Sequence, residues 1–181
     1  MKQKELNKVK KLIKKAKEGD SQAFGKLYDL FVDQIYRYCL IKTGDEDVAC
    51  DITSETFLRV RRYLNRYKDR NFRAYVYTIA RNLIVDYYKK EARTTNLLEV
   101  EFIVDEKEDI ETKMIKKQEV KRLYQTLSKL PRNYLDVITL RFIEGLSVKE
   151  TAKILGRTGI SVRVTQHRAL KKLKTLLENE K

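Results

Sequence analysis

From Ser147 to Thr158 the chain places a hydroxyl, a carboxylate three residues on at Glu150, a small residue at Ala152, a glycine at Gly156 and a second hydroxyl at Thr158. Ser147 and Glu150 have the spacing of a capping box. Gly156 suits a tight turn, and Thr158 can cap the helix that follows. This is the pattern of a helix-turn-helix, with its second helix running to about Leu177. No acidic residue occurs from Thr151 through Leu177. With Val162 toward the core, Arg163, His167, Arg168, Lys171 and Lys172 fall on the exposed side. The chemistry on offer is recognition: Arg can donate to guanine in a major groove, Thr or Val can touch a thymine methyl, and the cations can neutralise phosphates. A plain surface helix with solvated lysines would account for the charge, but not for cap, small residue, glycine turn and acid-free helix together. His167, the only histidine, lacks coligands and reads as a polar DNA contact or an ordinary surface residue.

A second basic region, Arg59 to Lys90, mixes ten Lys or Arg with only Asp69 and Asp86, and adds Tyr63, Tyr67, Phe72, Tyr75, Tyr77, Tyr87 and Tyr88. Cations can follow a phosphate backbone while rings and shallow pockets receive unstacked bases, as single-stranded or melted DNA requires. Several of these rings also fall on the apolar stripe of a helix, so taken alone the signal is weak and most of them are expected to pack in the core.

The elements that must position these groups are helices. The 181 residues hold only six Gly and one Pro, and apolar residues recur at helical spacing in nearly every long segment. The expected order begins with a first helix from about Glu5 to Glu18, with eight lysines in the first 17 residues. A second, capped by Asp20 or Ser21, ends at Thr43-Gly44. A third, capped by Asp45, runs to about Leu64, and a fourth from about Asn71 to Ala92. Between Glu99 and Glu111 seven acidic residues surround a single lysine, which reads as a linker. Pro131 then opens a helix bearing Tyr134, Leu135, Ile138, Leu140 and Phe142 ahead of the helix-turn-helix. The fold class is all-α: two small helical domains, residues 1–92 and 113–181, joined by an acidic linker at 93–112.

Composition restricts the function further. Lys and Arg number 40 against 26 Asp and Glu, giving a net charge of +14, which favours a polyanionic partner. Cys39 and Cys50 are the only cysteines, so neither a zinc ligand set nor a disulfide framework is expected, and both thiols are expected reduced and partly buried. The apolar runs are far shorter than the ~20 residues of a membrane span, and the Lys-rich start lacks the apolar core of a signal peptide. The expectation is a cytoplasmic protein without membrane insertion. With no metal cluster or acid–base pair, neither an enzyme nor a cofactor is expected.

At this point the residues resemble a known family. Ala49-Cys50-Asp51-Ile52-Thr53-Ser54-Glu55-Thr56-Phe57-Leu58-Arg59-Val60 is similar to the polymerase-binding motif in region 2 of the extracytoplasmic-function (ECF) sigma factors of bacterial RNA polymerase. Asp51, Thr53, Glu55 and Phe57 stand on its key positions. Asn71 to Tyr87 resembles the segment that reads and melts the minus-ten promoter element. Leu127 to Leu176 resembles region 4, which docks on the polymerase beta flap and reads the minus-thirty-five element as duplex.

The resemblance implies a chain that binds core polymerase at the beta-prime clamp helices and the beta flap, binds promoter DNA, and has an inhibitory anti-sigma partner. It places Lys68, Arg73, Tyr77, Arg81, Asn82 and Asp86 at the minus-ten strand, the last two near the extruded base. Arg157, Ser161, Arg163, Val164, His167, Arg168 and Lys171 are implied at the minus-thirty-five duplex. The acidic linker would thread the polymerase cleft, with Glu99, Glu101, Asp105, Glu106, Glu108 and Asp109 standing in for nucleic-acid charge. Cys50 and Ser54 stand where the family usually has Glu and Gln, and Tyr75 replaces the usual tryptophan. Val164, Thr165, Gln166 and Leu170 depart from the typical recognition helix, so no promoter sequence carries over. The competing reading is a dimeric helix-turn-helix regulator of duplex operators, which would have no use for the Asp51 to Phe57 motif.

Overall fold

A computed structural model describes residues 3–68, 71–94 and 125–178. Helix α1 (Gln3–Lys17) is amphipathic: Val9 and Leu12 are buried, while Lys8, Lys10, Lys11, Lys14 and Lys15 face outward. It lies against α2 (Ser21–Thr43), whose first turn is capped by Asp20, accepting from the Ala23 N–H at 2.9 Å. Apolar residues at three- and four-residue steps, Ala23, Leu27, Phe31, Ile35 and Tyr38, give α2 its buried stripe. Asp45 caps α3 (Glu46–Tyr63), accepting from Val48 N at 2.9 Å. Thr53 and Thr56 are buried in α3 without an unmet hydroxyl, because each donates to the carbonyl one turn back, of Ala49 and Ile52, at 2.7 Å. A 3-10 turn (Leu64–Arg66) follows, and α4 (Phe72–Thr94) starts where Asn71 accepts from Ala74 N at 3.0 Å.

The C-terminal half begins, among the described residues, with a helical turn at 125–128. Helix α5 (Arg132–Ile138) starts after Pro131, which has no N–H to satisfy. It does not run on as a regular helix. Thr139–Ile143 forms a π turn in which Glu144 N donates to Thr139 O at 2.9 Å, an outcome the apolar spacing did not foretell. The extra residue carries Leu140 fully inside and leaves Phe142, expected on the helix's apolar side, 52% exposed. Helices α6 (Val148–Leu155) and α7 (Gly159–Glu178) complete the chain.

The expected helices are present, and no strand occurs among the described residues. From residue 95 onward the expected linker lies outside the described residues, as do the acidic residues assigned to it. The two halves pack directly on one another. One apolar core runs from Val9, Ile35, Val60 and Tyr77 into Val137, Leu140, Leu146, Ile154 and Val162, and Ile41 of α2 belongs to a second core with Leu127, Leu135, Ile138 and Ala169. The cysteines differ from expectation. Cys39 is fully buried on the α2 stripe, whereas Cys50, on the solvent side of α3, is exposed.

Candidate nucleic-acid interface

Helix α6 has the cap its sequence encodes: Ser147 Oγ accepts from Glu150 N at 3.2 Å, and Glu150 Oε2 accepts from Ser147 N at 2.8 Å. Gly156 ends it at φ 63°, a conformation that strains any side chain, and Arg157 N returns to Ala152 O at 2.9 Å. Thr158 Oγ1 accepts from Ser161 N at 3.2 Å and caps α7. With Val162 and Ala169 wholly buried, α7 is fixed against the core. Arg163, Val164, His167, Arg168 and Lys171 are exposed together on its free face, with Ser161 half-buried beside them and Arg157 exposed at the turn. Gln166 is held instead by Arg141, whose Nε donates to Gln166 Oε1 at 3.0 Å.

Sequence reasoning missed Ile160. It is 74% exposed in the first turn of α7, the end that enters a groove in a helix-turn-helix. Its signal was available: an apolar residue two places before the core position Val162 must point away from the core.

The residues assigned to the minus-ten strand divide into two groups. Lys68, Asn82 and Asp86 are exposed. Arg73, Tyr77 and Arg81 face the C-terminal half. Arg73 donates to the Glu144 carbonyl and to Gln34 Oε1, the latter at 3.0 Å. Tyr77 is fully buried and donates through its hydroxyl to Glu144 Oε2 at 2.6 Å. Burial, followed by the neighbouring Glu144 carboxylate, pushes the Tyr77 phenol far above its ordinary range, so it remains a donor. Arg81 Nε is buried without a hydrogen-bond partner among the described residues, as is the hydroxyl of Tyr38. The sequence reading passed over Arg37, the one arginine of α2, which grips Glu144 through Nε at 2.9 Å and Nη2 at 3.1 Å.

A cleft of about 400 Å³ opens beside these residues, with Lys10, Lys17, Tyr67, Lys68, Phe72 and Arg73 in its walls. Lys17 lies over the Tyr67 ring, 5.8 Å from its centre. Phe72 and Tyr67 meet edge to face at 5.5 Å. Most aromatics of this region are therefore core or wall, as the apolar stripe implied.

On α3, Asp51 is exposed and Glu55 half-buried, accepting from Arg59 Nε at 2.7 Å. Thr53 and Phe57 face inward, Phe57 packing edge to face on Tyr28 at 4.7 Å. Their side chains hold α3 in place and do not lie on its outer surface. Leu58, at 57% exposure, is the apolar group that does, and the sequence reading quoted it within the motif without placing it among the key positions. No group of three or more His, Cys, Asp or Glu among the described residues could hold a metal, and no described helix is long and apolar enough to cross a membrane.

These two surfaces coincide with two known modules. The Sigma-70 region 2 family matches residues 27–94 and the Sigma-70 region 4 family matches 121–173. The ECF RNA polymerase sigma factor SigW of Bacillus subtilis is 30% identical over 94% of this chain and 97% of its own length. BldN of Streptomyces coelicolor, named likewise, is 35% identical over 93% of this chain, which spans 66% of that protein's length. The solved structure of CnrH in complex with the cytosolic domain of CnrY has a TM-score of 0.76 at 25% identity, over 96% of this chain and 99% of that one. The chain belongs to the ECF RNA polymerase sigma factors. It is a transcription initiation factor that directs RNA polymerase to promoters, and not an enzyme.

Proposed function

We propose that residues 1–92 bind core polymerase and open the minus-ten element, and that residues 113–181 read the minus-thirty-five element as duplex. The observation that carries this division is the free face of α7: Arg163, Val164, His167, Arg168 and Lys171 are exposed together on a helix whose other side is locked by Val162 and Ala169. A helix of that width enters a major groove, where its arginines reach guanine edges and its lysine a phosphate. Asp51, Glu55 and Leu58 form the polymerase-facing side of α3, aimed at the beta-prime clamp helices. Lys68, Asn82 and Asp86 are open to a single strand, and Arg73, Tyr77 and Arg81 join them once the two halves separate. The beta flap receives the C-terminal half.

The site of action is the cytoplasm, where the polymerase is. An anti-sigma protein is the natural regulator, a reading supported by the likeness to CnrH, which was solved bound to the cytosolic domain of CnrY. The test is transcription in vitro with purified core polymerase, with and without the protein, on a genomic fragment library with start sites mapped by sequencing. Protein-dependent starts downstream of a shared two-part motif support the division. Operator binding without such starts would overturn it.

A further inference from the structure

Glu144 is buried, its side chain wholly inaccessible, yet nearly everything that neutralises it comes from the other half of the chain. Arg37 contributes a two-pronged contact at 2.9 and 3.1 Å, Tyr77 a hydroxyl at 2.6 Å, and Arg73 fastens the Glu144 carbonyl. A buried carboxylate is tolerated only with such pairing. Two charged nitrogens and a phenol converging on paired anionic oxygens also form the set of donors that a backbone phosphate requires. Arg73 and Tyr77 are already assigned to the minus-ten strand, and Arg37 is 42% exposed at the edge of the same surface.

Two further contacts across the seam have the same polarity, while Arg132 of the C-terminal half stacks its guanidinium on the Tyr88 ring at 3.9 Å. Glu150 Oε1 accepts from Asn71 Nδ2 at 2.9 Å, and Asp136 accepts from Lys42 at 2.7 Å. In all three places the C-terminal half supplies the acid and the N-terminal half the donor. The sign is opposite to that of α7, which carries no acid before Glu178. The C-terminal half thus has a cationic face on α7 and, at Glu144 and Glu150, carboxylates laid against the start of α4, the helix assigned to the single strand.

We infer that Arg37, Arg73 and Tyr77 form a phosphodiester-binding cradle for the nontemplate strand, and that Glu144 occupies it in this closed form as an internal substitute for phosphate. The π turn at Thr139–Ile143 delivers Glu144 to the cradle. Promoter engagement replaces the carboxylate by DNA, so closure and strand binding exclude one another at this site. The inference rests on the assignment of residues 1–92 to the minus-ten strand.

The test uses the full chain and a fluorescein-labelled single-stranded DNA of mixed sequence, followed by anisotropy across a salt series. E144Q keeps the shape and removes the charge, and its affinity rises about tenfold. Adding R37A to E144Q cancels the gain and lowers the slope of log affinity against log salt by about 0.7, as expected when one cation no longer neutralises a single-strand phosphate. In parallel, dyes on Cys50 and on K172C move apart in E144Q. An E144Q chain, folded by circular dichroism, that binds no more tightly than wild type overturns the inference, as does an unchanged slope in R37A/E144Q. Should E144Q not fold, R37A alone reads the cradle through the slope, since its guanidinium is partly exposed. The transcription assay separates the two levels: wild-type starts with no gain in E144Q sink the cradle and leave the promoter assignment intact, whereas absence of starts with the anisotropy changes present sinks the promoter assignment and, with it, the nontemplate strand as the cradle's ligand.

Discussion

Glu150 joins the two halves at their helix caps: its Oε2 closes the capping box on Ser147 while its Oε1 takes the amide of Asn71, the residue that caps α4. One carboxylate therefore couples the start of the helix-turn-helix to the start of the helix assigned to the minus-ten element.

That coupling has a pH signature. Burial alone would raise the Glu150 carboxyl, but the hydrogen bonds from Asn71 and Ser147, with Arg73 nearby, bring it below the ordinary 4.5. A folded-state pKa lowered in this way stabilises the protein fully above about 4.5 and loses that contribution as pH falls through the folded value. E150Q should therefore flatten the acid limb of a stability–pH curve measured by urea titration while changing little of its shape above pH ~6. An acid limb as steep in E150Q as in wild type would contradict this.

The two cysteines should react very differently. Burial pushes the Cys39 thiol up to about 12, against a small opposing contribution from Thr53, whereas Cys50 is exposed. Since the thiolate is the nucleophile, one equivalent of a thiol reagent should add to the native protein at neutral pH, at Cys50, and a second only on denaturation. Peptide mapping after labelling checks both.

On α3 the inward and outward residues should fail in different ways. F57A removes a core ring packed on Tyr28 and should cost about 3–5 kcal/mol of stability. D51A and L58A lie at the surface, and should leave the melting curve within about 0.5 kcal/mol of wild type while weakening capture of core polymerase. Melting by circular dichroism alongside a polymerase-binding titration separates the cases.

On α7, R163A and R168A should each weaken binding to a minus-thirty-five duplex by ~1–3 kcal/mol where the arginine pairs with a base through two hydrogen bonds, with polymerase binding unchanged. A gel-shift titration beside the polymerase-binding titration reads both, and an equal fall in the two affinities would argue against the assigned roles.

Much of this was readable in the residues because it is local. Caps at Asp20, Asp45, Ser147 and Thr158, the glycine turn at Gly156, and the inward register of Val162 each depend on neighbours within four positions, and all are found where spacing puts them. Long-range facts were not readable. Arg37 and Glu144 are 107 positions apart, and nothing in either neighbourhood announces the other. The π turn was hidden for a different reason: Thr139 to Ile143 keeps an apolar spacing compatible with an ordinary helix, and the wider turn goes with the full burial of Leu140 and Leu146, whose backbones pair at 2.9 Å. The motif match at Thr53 and Phe57 located α3, the helix proposed to meet polymerase, but not which of its sides faces out, since motif letters do not distinguish a residue that touches a partner from one that braces the helix.

The core running from Ile35 and Tyr77 into Val137 and Leu140 also alters how the molecule responds to heat. Two modules that are separable by sequence match become one cooperative unit while closed, so calorimetry should show a single melting transition instead of two. A cavity made at Val137, far along the chain from the first module, would then lower the temperature at which that module melts. Whatever parts the halves, whether polymerase, DNA or warmth, must expose the same apolar seam, and this gives the chain a thermal threshold in addition to an electrostatic one.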